Sequence, residues 1–271
     1  MLDRQLKISV IMAVYKGDTD IQVRSALDSI CKQTRVPDEF IVVVDGPIST
    51  AVKDTLQSFS IKKLIKIIWL KNNVGRGQAR NIAIKASAGE LIGIMDADDI
   101  SRPDRLEQQV KFLLSRDIDM CGGFIEEFSQ QPGDQCIYRK VPLENKKIYR
   151  QLRYRSAFNH VTLLFKRSLY ESVGGYQTLN WAEDWDFYLR CAAEKASFAN
   201  MDVILVDVKK NIIRSSGLIN FKDELMVLSG AYKRGQIGVM NLSIQVFVRF
   251  IKAITPITFR SWIHKFARTL G

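Results

Sequence analysis

Through its first hundred residues the chain alternates short, β-branched apolar runs with helix-period segments, and that alternation admits few folds besides βαβ units wound around a parallel sheet. Lys7 to Val14 reads as a buried strand, Phe40 to Val44 as a second, Leu64 to Leu70 as a third and Leu91 to Met95 as a fourth. Between them lie helices over Asp18 to Gln33, Ser49 to Phe59 and Gly75 to Ala86. The first has Asp18 or Thr19 as its cap and Ile21, Ala26, Leu27 and Ile30 as its inner face. Pro103 is suited to the first turn of a further helix, with Leu106, Val110, Leu113 and Leu114 on one side. After Asp117 the alternation weakens, and Ile118 to Phe128 and Val161 to Phe165 read as strands of a less regular half.

A chain of 271 residues with 46% hydrophobic composition can bury one sizeable core. Cys31, Cys121, Cys136 and Cys191 are widely spaced, without a CxxC pair or a Cys/His cluster, so neither a zinc site nor a disulfide framework is expected and a reducing compartment fits. The N-terminal Met1 to Lys7 carries charges where a secretory signal needs an apolar stretch. The net charge of +11 raises the question of nucleic acid, but its distribution argues against it. Beyond Glu224 there are seven basic residues and no acid, which leaves 33 basic against 29 acidic residues before that point. The excess belongs largely to the tail.

Four constellations carry chemistry. Asp45 and Asp96 each close an apolar strand, and in an open parallel sheet ligands bind at that carboxyl edge; taken singly, an Asp leaving a strand is also an ordinary turn residue. Asp96-Ala97-Asp98-Asp99 sets three carboxylates within four residues, a density that calls for hydrogen-bond donors or a hard divalent ion such as Mg²⁺ or Mn²⁺. Asn72 to Asn81 holds Gly75, Gly77, Arg76 and Arg80 at a turn entering a helix, a setting that favours phosphate, although a P-loop is excluded because no Lys-Ser/Thr follows. In Trp181-Ala182-Glu183-Asp184-Trp185-Asp186 two indoles bracket acids, either to stack on a sugar and raise a carboxyl pKa or as core residues at an acidic helix start. His160, before an apolar strand, is a further candidate contact.

Taken in order, Val10 to Tyr15, Asp45, Asn73-Val74-Gly75 through Ala79-Arg80-Asn81, Asp96 to Asp99, Gly174-Gly175-Tyr176 and Glu183-Asp184 resemble the family-2 inverting glycosyltransferases of the GT-A fold, over residues 7 to 215. The resemblance implies a Rossmann-like α/β architecture, with residues 1–230 as catalytic domain (1–100 the nucleotide-binding half, 101–230 the acceptor half) and 231–271 as a basic helical tail. It implies transfer of a hexosyl or N-acetylhexosaminyl group from a nucleotide diphosphate sugar, with UDP foremost. Asp45 would bind the base in a pocket of Ala13, Val14 and Tyr15, with Gly75, Arg80 and Ala97 also on the donor side. Asp96 would contact the ribose, Asp98 would ligate Mn²⁺ or Mg²⁺, and Asp184 would deprotonate the acceptor. His160, Trp181, Glu183 and Trp185 would hold that acceptor, a saccharide or lipid-linked saccharide for capsule, exopolysaccharide or O-antigen. The chain lacks the Gln-x-x-Arg-Trp signature of processive synthases, which points to single additions, and it offers Lys209 where many relatives have arginine.

Met240 to Ile254 is apolar but interrupted by Arg249 and Lys252, too short a run to span a bilayer. From Thr255-Pro256 a helix is expected with Phe259, Trp262, Ile263, Phe266 and Leu270 opposite Arg260, His264, Lys265 and Arg268, a pattern suited to the cytoplasmic membrane surface. Two other readings stay open from the residues alone: a nucleotidyltransferase that makes nucleotide sugars, and a non-catalytic basic module that binds membranes or nucleic acid.

Overall fold

The computed structural model describes residues 6–210 and 218–255. Its first half follows the expected alternation: β1 (Ile8–Val14), α1 (Asp20–Cys31), β2 (Glu39–Asp45), α2 (Thr50–Ile61), β3 (Lys66–Leu70), α3 (Arg76–Lys85) and β4 (Leu91–Asp96). Strands β3, β2, β1 and β4 lie side by side and parallel. Both faces of β1, β2 and β4 are covered, which is why these strands read as unbroken apolar runs, while β3 at the edge leaves Trp69 exposed. Val10, Met12, Val42 and Val44 pack with Val23, Leu27 and Leu56 on one side. Ile11, Ile41, Val43 and Ile94 pack with Ala79 and Ala83 on the other.

Thr19 caps α1 through a reciprocal pair of bonds, its hydroxyl accepting from the Gln22 N–H and its own N–H donating to Gln22 Oε1. The inner face of α1 is Val23, Ala26, Leu27 and Ile30. Ile21, assigned to that face from sequence, is 73% exposed, because it sits about 200° around the helix from Val23. Leu114 is likewise 53% exposed on α4 (Arg105–Arg116), whose buried stripe is Leu106, Gln109, Val110 and Leu113.

The second half continues the sheet with mixed polarity. β8 (Leu164–Lys166) is antiparallel to both β4 and β6 (Met120–Phe128), and β6 pairs in parallel with the long β9 (Phe198–Lys209). The short β5 (Ile100–Ser101) joins the far edge against β9, and β7 (Ile137–Arg139) lies beside β6. The strand expected over Val161 to Phe165 begins later than predicted. Residues His160–Thr162 form a 3₁₀ turn, closed where the Thr162 hydroxyl and N–H both donate to the Asn159 carbonyl at 2.7 and 2.9 Å. Helices α5 (Asn145–Leu152), α6 (Arg167–Ser172), α7 (Glu183–Ala193), α8 (Leu218–Lys233) and α9 (Val239–Ile254) complete the described chain. Helix α8 runs through residue 231, so the boundary drawn there from sequence falls inside an element. No helix among the described residues is long and apolar enough to cross a membrane.

Candidate active site

The parallel strands deliver their C-terminal residues to one edge, where Ala13 of β1 stands opposite Asp96 of β4 in the ladder. A cleft of about 750 Å³ opens there, bounded by Ala13, Tyr15, Asp45 and Asp96 to Asp98 on the sheet side and by α7 across from them. Val14, expected in the nucleotide pocket, points the other way: strand alternation sends its side chain into the core with Val23 and Val44.

Asp45 is buried, and both its oxygens are engaged. Oδ1 accepts from the Val74 N–H at 2.7 Å, and Oδ2 accepts from the Gly75 N–H at 3.1 Å and from Asn73 Nδ2 at 2.9 Å. The carboxylate thus anchors the turn that starts α3. Gly75 is in the left-handed region at φ +87°, which favours glycine, and its part is to present that N–H; it is not a wall of the cleft. Arg76 and Arg80, one helical turn apart, both reach the cleft. On the same helix, Asn81 Oδ1 accepts from the Tyr176 N–H at 2.9 Å and from the Tyr170 hydroxyl at 2.8 Å. Gly175 makes that approach possible: at φ +73° a Cβ there would lie 2.8 Å from Asn81 Oδ1. The Gly174-Gly175-Tyr176 motif is thereby a tether between α3 and the segment leading to α7.

The three carboxylates of the 96–99 cluster have separate fates. Asp96 accepts from Arg80 at 2.9 Å. Asp99 is turned inward, where the Lys209 N–H donates to it at 2.9 Å. Burial, reinforced by the charges of Asp98 and Asp96, raises its pKa well above the usual carboxylate value. The Lys209 ammonium is engaged away from the cleft, with the Ser129 carbonyl and the Phe128 ring. Asp98 lines the cleft beside Asp96. Among the described residues no three His, Cys, Asp or Glu side chains converge into a metal-holding group. The donor set fits Mn²⁺ or Mg²⁺ only as a site that substrate oxygens complete, since such ions take one or two carboxylates plus phosphate and water.

Arg80 joins the two halves of the cleft. Its guanidinium, 3% exposed, also contacts Glu183 Oε1 at 3.3 Å, and Arg76 stands 3.7 Å from the same oxygen. Glu183, expected to hold the acceptor, is therefore locked by two arginines. Asp184, next on the first turn of α7, accepts from the Trp185 N–H at 2.8 Å. Burial, with the charge of Glu183 beside it, pushes its carboxyl up to about 6 against the pull of that N–H and of Arg80 and Arg76. Trp185 is buried and donates from its indole to the Leu152 carbonyl at 2.8 Å, so it serves mainly as a wall, while Trp181 is half-buried at the opening. His160 Nδ1 lies 2.6 Å from the Tyr188 hydroxyl, and Nε2 has no protein partner among the described residues. Burial and the nearby charges of Arg80 and Arg76 hold this imidazole well below its usual pKa, hence neutral.

Several lining residues escaped the sequence reading. Arg139 and Arg155 come from the irregular half, and Val248, Arg249 and Lys252 come from α9. Arg249 donates to the Tyr154 carbonyl at 2.7 Å, pairs with Glu224 at 3.5 Å and stacks 4.8 Å from the Trp185 ring. Gln245, buried on the same helix, donates to the Arg153 carbonyl at 2.6 Å. The apolar segment 240–254 is thus fastened over the cleft. Thr255, expected as the cap of a further helix, instead closes α9 with its N–H and hydroxyl donating to the Ile251 carbonyl; the amphipathic helix expected beyond it lies outside the described residues.

The architecture matches that of GT-A glycosyltransferases. The Pyrobaculum calidifontis mannosyltransferase PcManGT, solved with GDP-Man and Mn²⁺, superposes with a TM-score of 0.61 at 16% identity, over 98% of this chain and 81% of its own. TarS 1-349 of S. aureus, solved with UDP-GlcNAc, gives 0.66 at 19% identity, over 83% of this chain and 66% of that one. The Glycosyl transferase family 2 pattern matches residues 9–174. The chain is also 31% identical over 269 residues to the UDP-Gal:alpha-D-GlcNAc-diphosphoundecaprenol beta-1,3-galactosyltransferase of Escherichia coli, covering 98% of each. It belongs to glycosyl transferase family 2.

Proposed function

We propose that this glycosyltransferase moves a sugar from a UDP-linked donor to a saccharide carried on a lipid diphosphate, inverting the anomeric carbon in one step. The observation that carries the reading is the single cleft in which Asp45, Asp96 and Asp98 at the sheet edge face Asp184 on α7. Ala13, Tyr15 and Asp45 hold the nucleotide base and Asp96 its ribose, with Arg76 and Arg80 beside the diphosphate. Asp98 would hold a divalent ion against the diphosphate oxygens; when bound, that ion neutralises charge on the leaving group. His160 and Trp181 orient the acceptor sugar. The acceptor hydroxyl oxygen bonds to the anomeric carbon as the bond from that carbon to the diphosphate breaks, and the hydroxyl proton passes to Asp184. With a carboxyl that titrates near 6, Asp184 is mostly ionised at pH 7 and still basic enough to assist. The E. coli relative's name supports both the UDP donor and the lipid diphosphate acceptor. The exposed apolar side chains of α9 support a location at a membrane surface, on the cytoplasmic face where such donors are made.

The test is a panel of UDP, GDP and dTDP sugars, scored for thermal stabilisation and slow hydrolysis with and without Mn²⁺. The reading expects at least one UDP sugar to bind in a divalent-dependent manner. Failure of every sugar under both conditions would overturn it.

A further inference from the structure

Between residues 139 and 155 the chain carries seven basic side chains and one acid, Glu144. The segment includes α5 and the turn after it, and it forms a second hollow of about 430 Å³ lined by Lys147, Arg150, Tyr154 and Arg155. That hollow meets the main cleft at Arg155, which lines both. From the other side α9 contributes Lys252 to the cleft, and α9 is fastened to this same turn through the Arg153 and Tyr154 carbonyls. Glu224, an acid on this side of the cleft, is paired with Arg249. Arg155 and Lys252 are exposed and, among the described residues, neither is paired with an acid.

Helix α9 adds an apolar element to this basic opening. Met240, Ile244, Phe247, Ile251 and Ile254 recur at alternating intervals of four and three residues, which puts them on one face, and each is at least 43% exposed. Gln245 and Arg249 occupy the face turned to the protein, and Val248 and Lys252 lie at the cleft. A cationic pair at the cleft opening beside an exposed apolar stripe matches a ligand that is anionic at one end and hydrocarbon at the other.

We propose that Arg155 and Lys252 form a second anion subsite, separate from that of the donor, which grips the diphosphate joining the acceptor sugar to its lipid, while the α9 stripe receives the first part of the hydrocarbon chain. The proposal rests on the acceptor reading above. It assigns α9 to acceptor selection: a saccharide without the lipid diphosphate reaches Asp184 but is not held there. Two charge-assisted contacts to phosphate correspond to at least a tenfold gain in affinity.

The experiment titrates farnesyl diphosphate, a water-soluble prenyl diphosphate, into the full chain held with saturating UDP and Mn²⁺, following tryptophan emission from Trp181 and Trp185 and confirming by calorimetry. Farnesol and inorganic pyrophosphate are titrated in parallel. Farnesyl diphosphate is expected to bind without displacing UDP, at least about tenfold more tightly than either comparator. Arg155→Gln with Lys252→Gln should weaken it by about tenfold or more with UDP affinity retained, whereas Arg155→Lys should keep most of the affinity. Displacement of UDP, affinity no better than that of farnesol or pyrophosphate, or a double variant that binds like the parent chain would each overturn the subsite. Failure of UDP itself to bind would instead count against the donor reading, and the farnesyl diphosphate titration without UDP would still decide the subsite.

Discussion

Replacing Asp184 with asparagine is expected to remove transfer while making the folded chain more stable at pH 7. The carboxyl titrates near 6 instead of near 3.8, because it is buried beside Glu183. The folded chain therefore binds this proton more tightly than the unfolded chain, and stability falls as pH rises from about 4 through 6. At about 1.4 kcal/mol per pKa unit, the penalty at pH 7 is at most ~3 kcal/mol; water at the cleft screens it to about 1–2 kcal/mol. The amide retains the oxygen that accepts from the Trp185 N–H, so the substitution removes the charge without a lost bond. For a domain of this size the relief amounts to roughly 2–4 °C in Tm per kcal/mol. The gain should be complete at pH 7, shrink as pH drops through 6 and vanish below about 4. Over the same range the parent enzyme should lose kcat/KM as Asp184 takes up its proton, while the variant shows transfer reduced by about 10²-fold to 10⁴-fold with donor binding intact. Calorimetric melting of both proteins between pH 4 and 8, with UDP binding and the rate of sugar transfer at each pH, measures all of this. A variant no more stable than the parent at pH 7, or a stability difference that does not change with pH, would refute the reasoning.

Arg80→Met removes the cation between Asp96 and Glu183 and leaves the buried Glu183 with Arg76 alone, at 3.7 Å; urea unfolding should show a loss of about 3 kcal/mol, the lower end for a broken buried pair, and a loss below about 1 kcal/mol would contradict the bridging role. Asp98→Asn should eliminate the divalent dependence of UDP binding in a thermal-shift assay. Asp99→Asn should leave that dependence unchanged, because the carboxyl is turned away from the cleft onto the Lys209 N–H; equal losses in both variants would show the two acids acting as one site.

The parallel half of the fold was legible because β1, β2 and β4 are buried on both faces and α1 and α2 carry side-chain caps, so residue type, period and turn chemistry agreed. The errors were rotational: Leu114 is an apolar residue one step off the buried stripe of its helix and Ile21 lies opposite that of its own, which hydrophobicity alone does not distinguish. The acids of the cleft were legible as a set because Asp45 and Asp96 end the two parallel strands that flank β1. What their side chains do was less so, since the Lys209 amide that turns Asp99 inward is more than a hundred residues away in sequence, and Glu183, which shares Arg80 with Asp96, is as far from that arginine. The segment 240–254 read only as an apolar run too short to span a bilayer; its attachment to the cleft depends on Gln245 and Arg249 meeting backbone carbonyls of residues 153 and 154, contacts with no local signature. The basic run from 139 to 155 was available as a charge count and gained meaning only once Arg155 was seen at the cleft.

The most direct test of the central claim, that the sheet-edge carboxylates and Asp184 act together as one inverting site, is the anomeric configuration of the product. Proton NMR of the first sugar transferred from an α-linked UDP donor reads it directly through the coupling at the anomeric carbon. Displacement by an acceptor hydroxyl activated at Asp184 gives a β-linked product, formed about 10²-fold to 10⁴-fold more slowly by Asp184→Asn. An α-linked product, or β-linked product formed at the parent rate by Asp184→Asn, would contradict it.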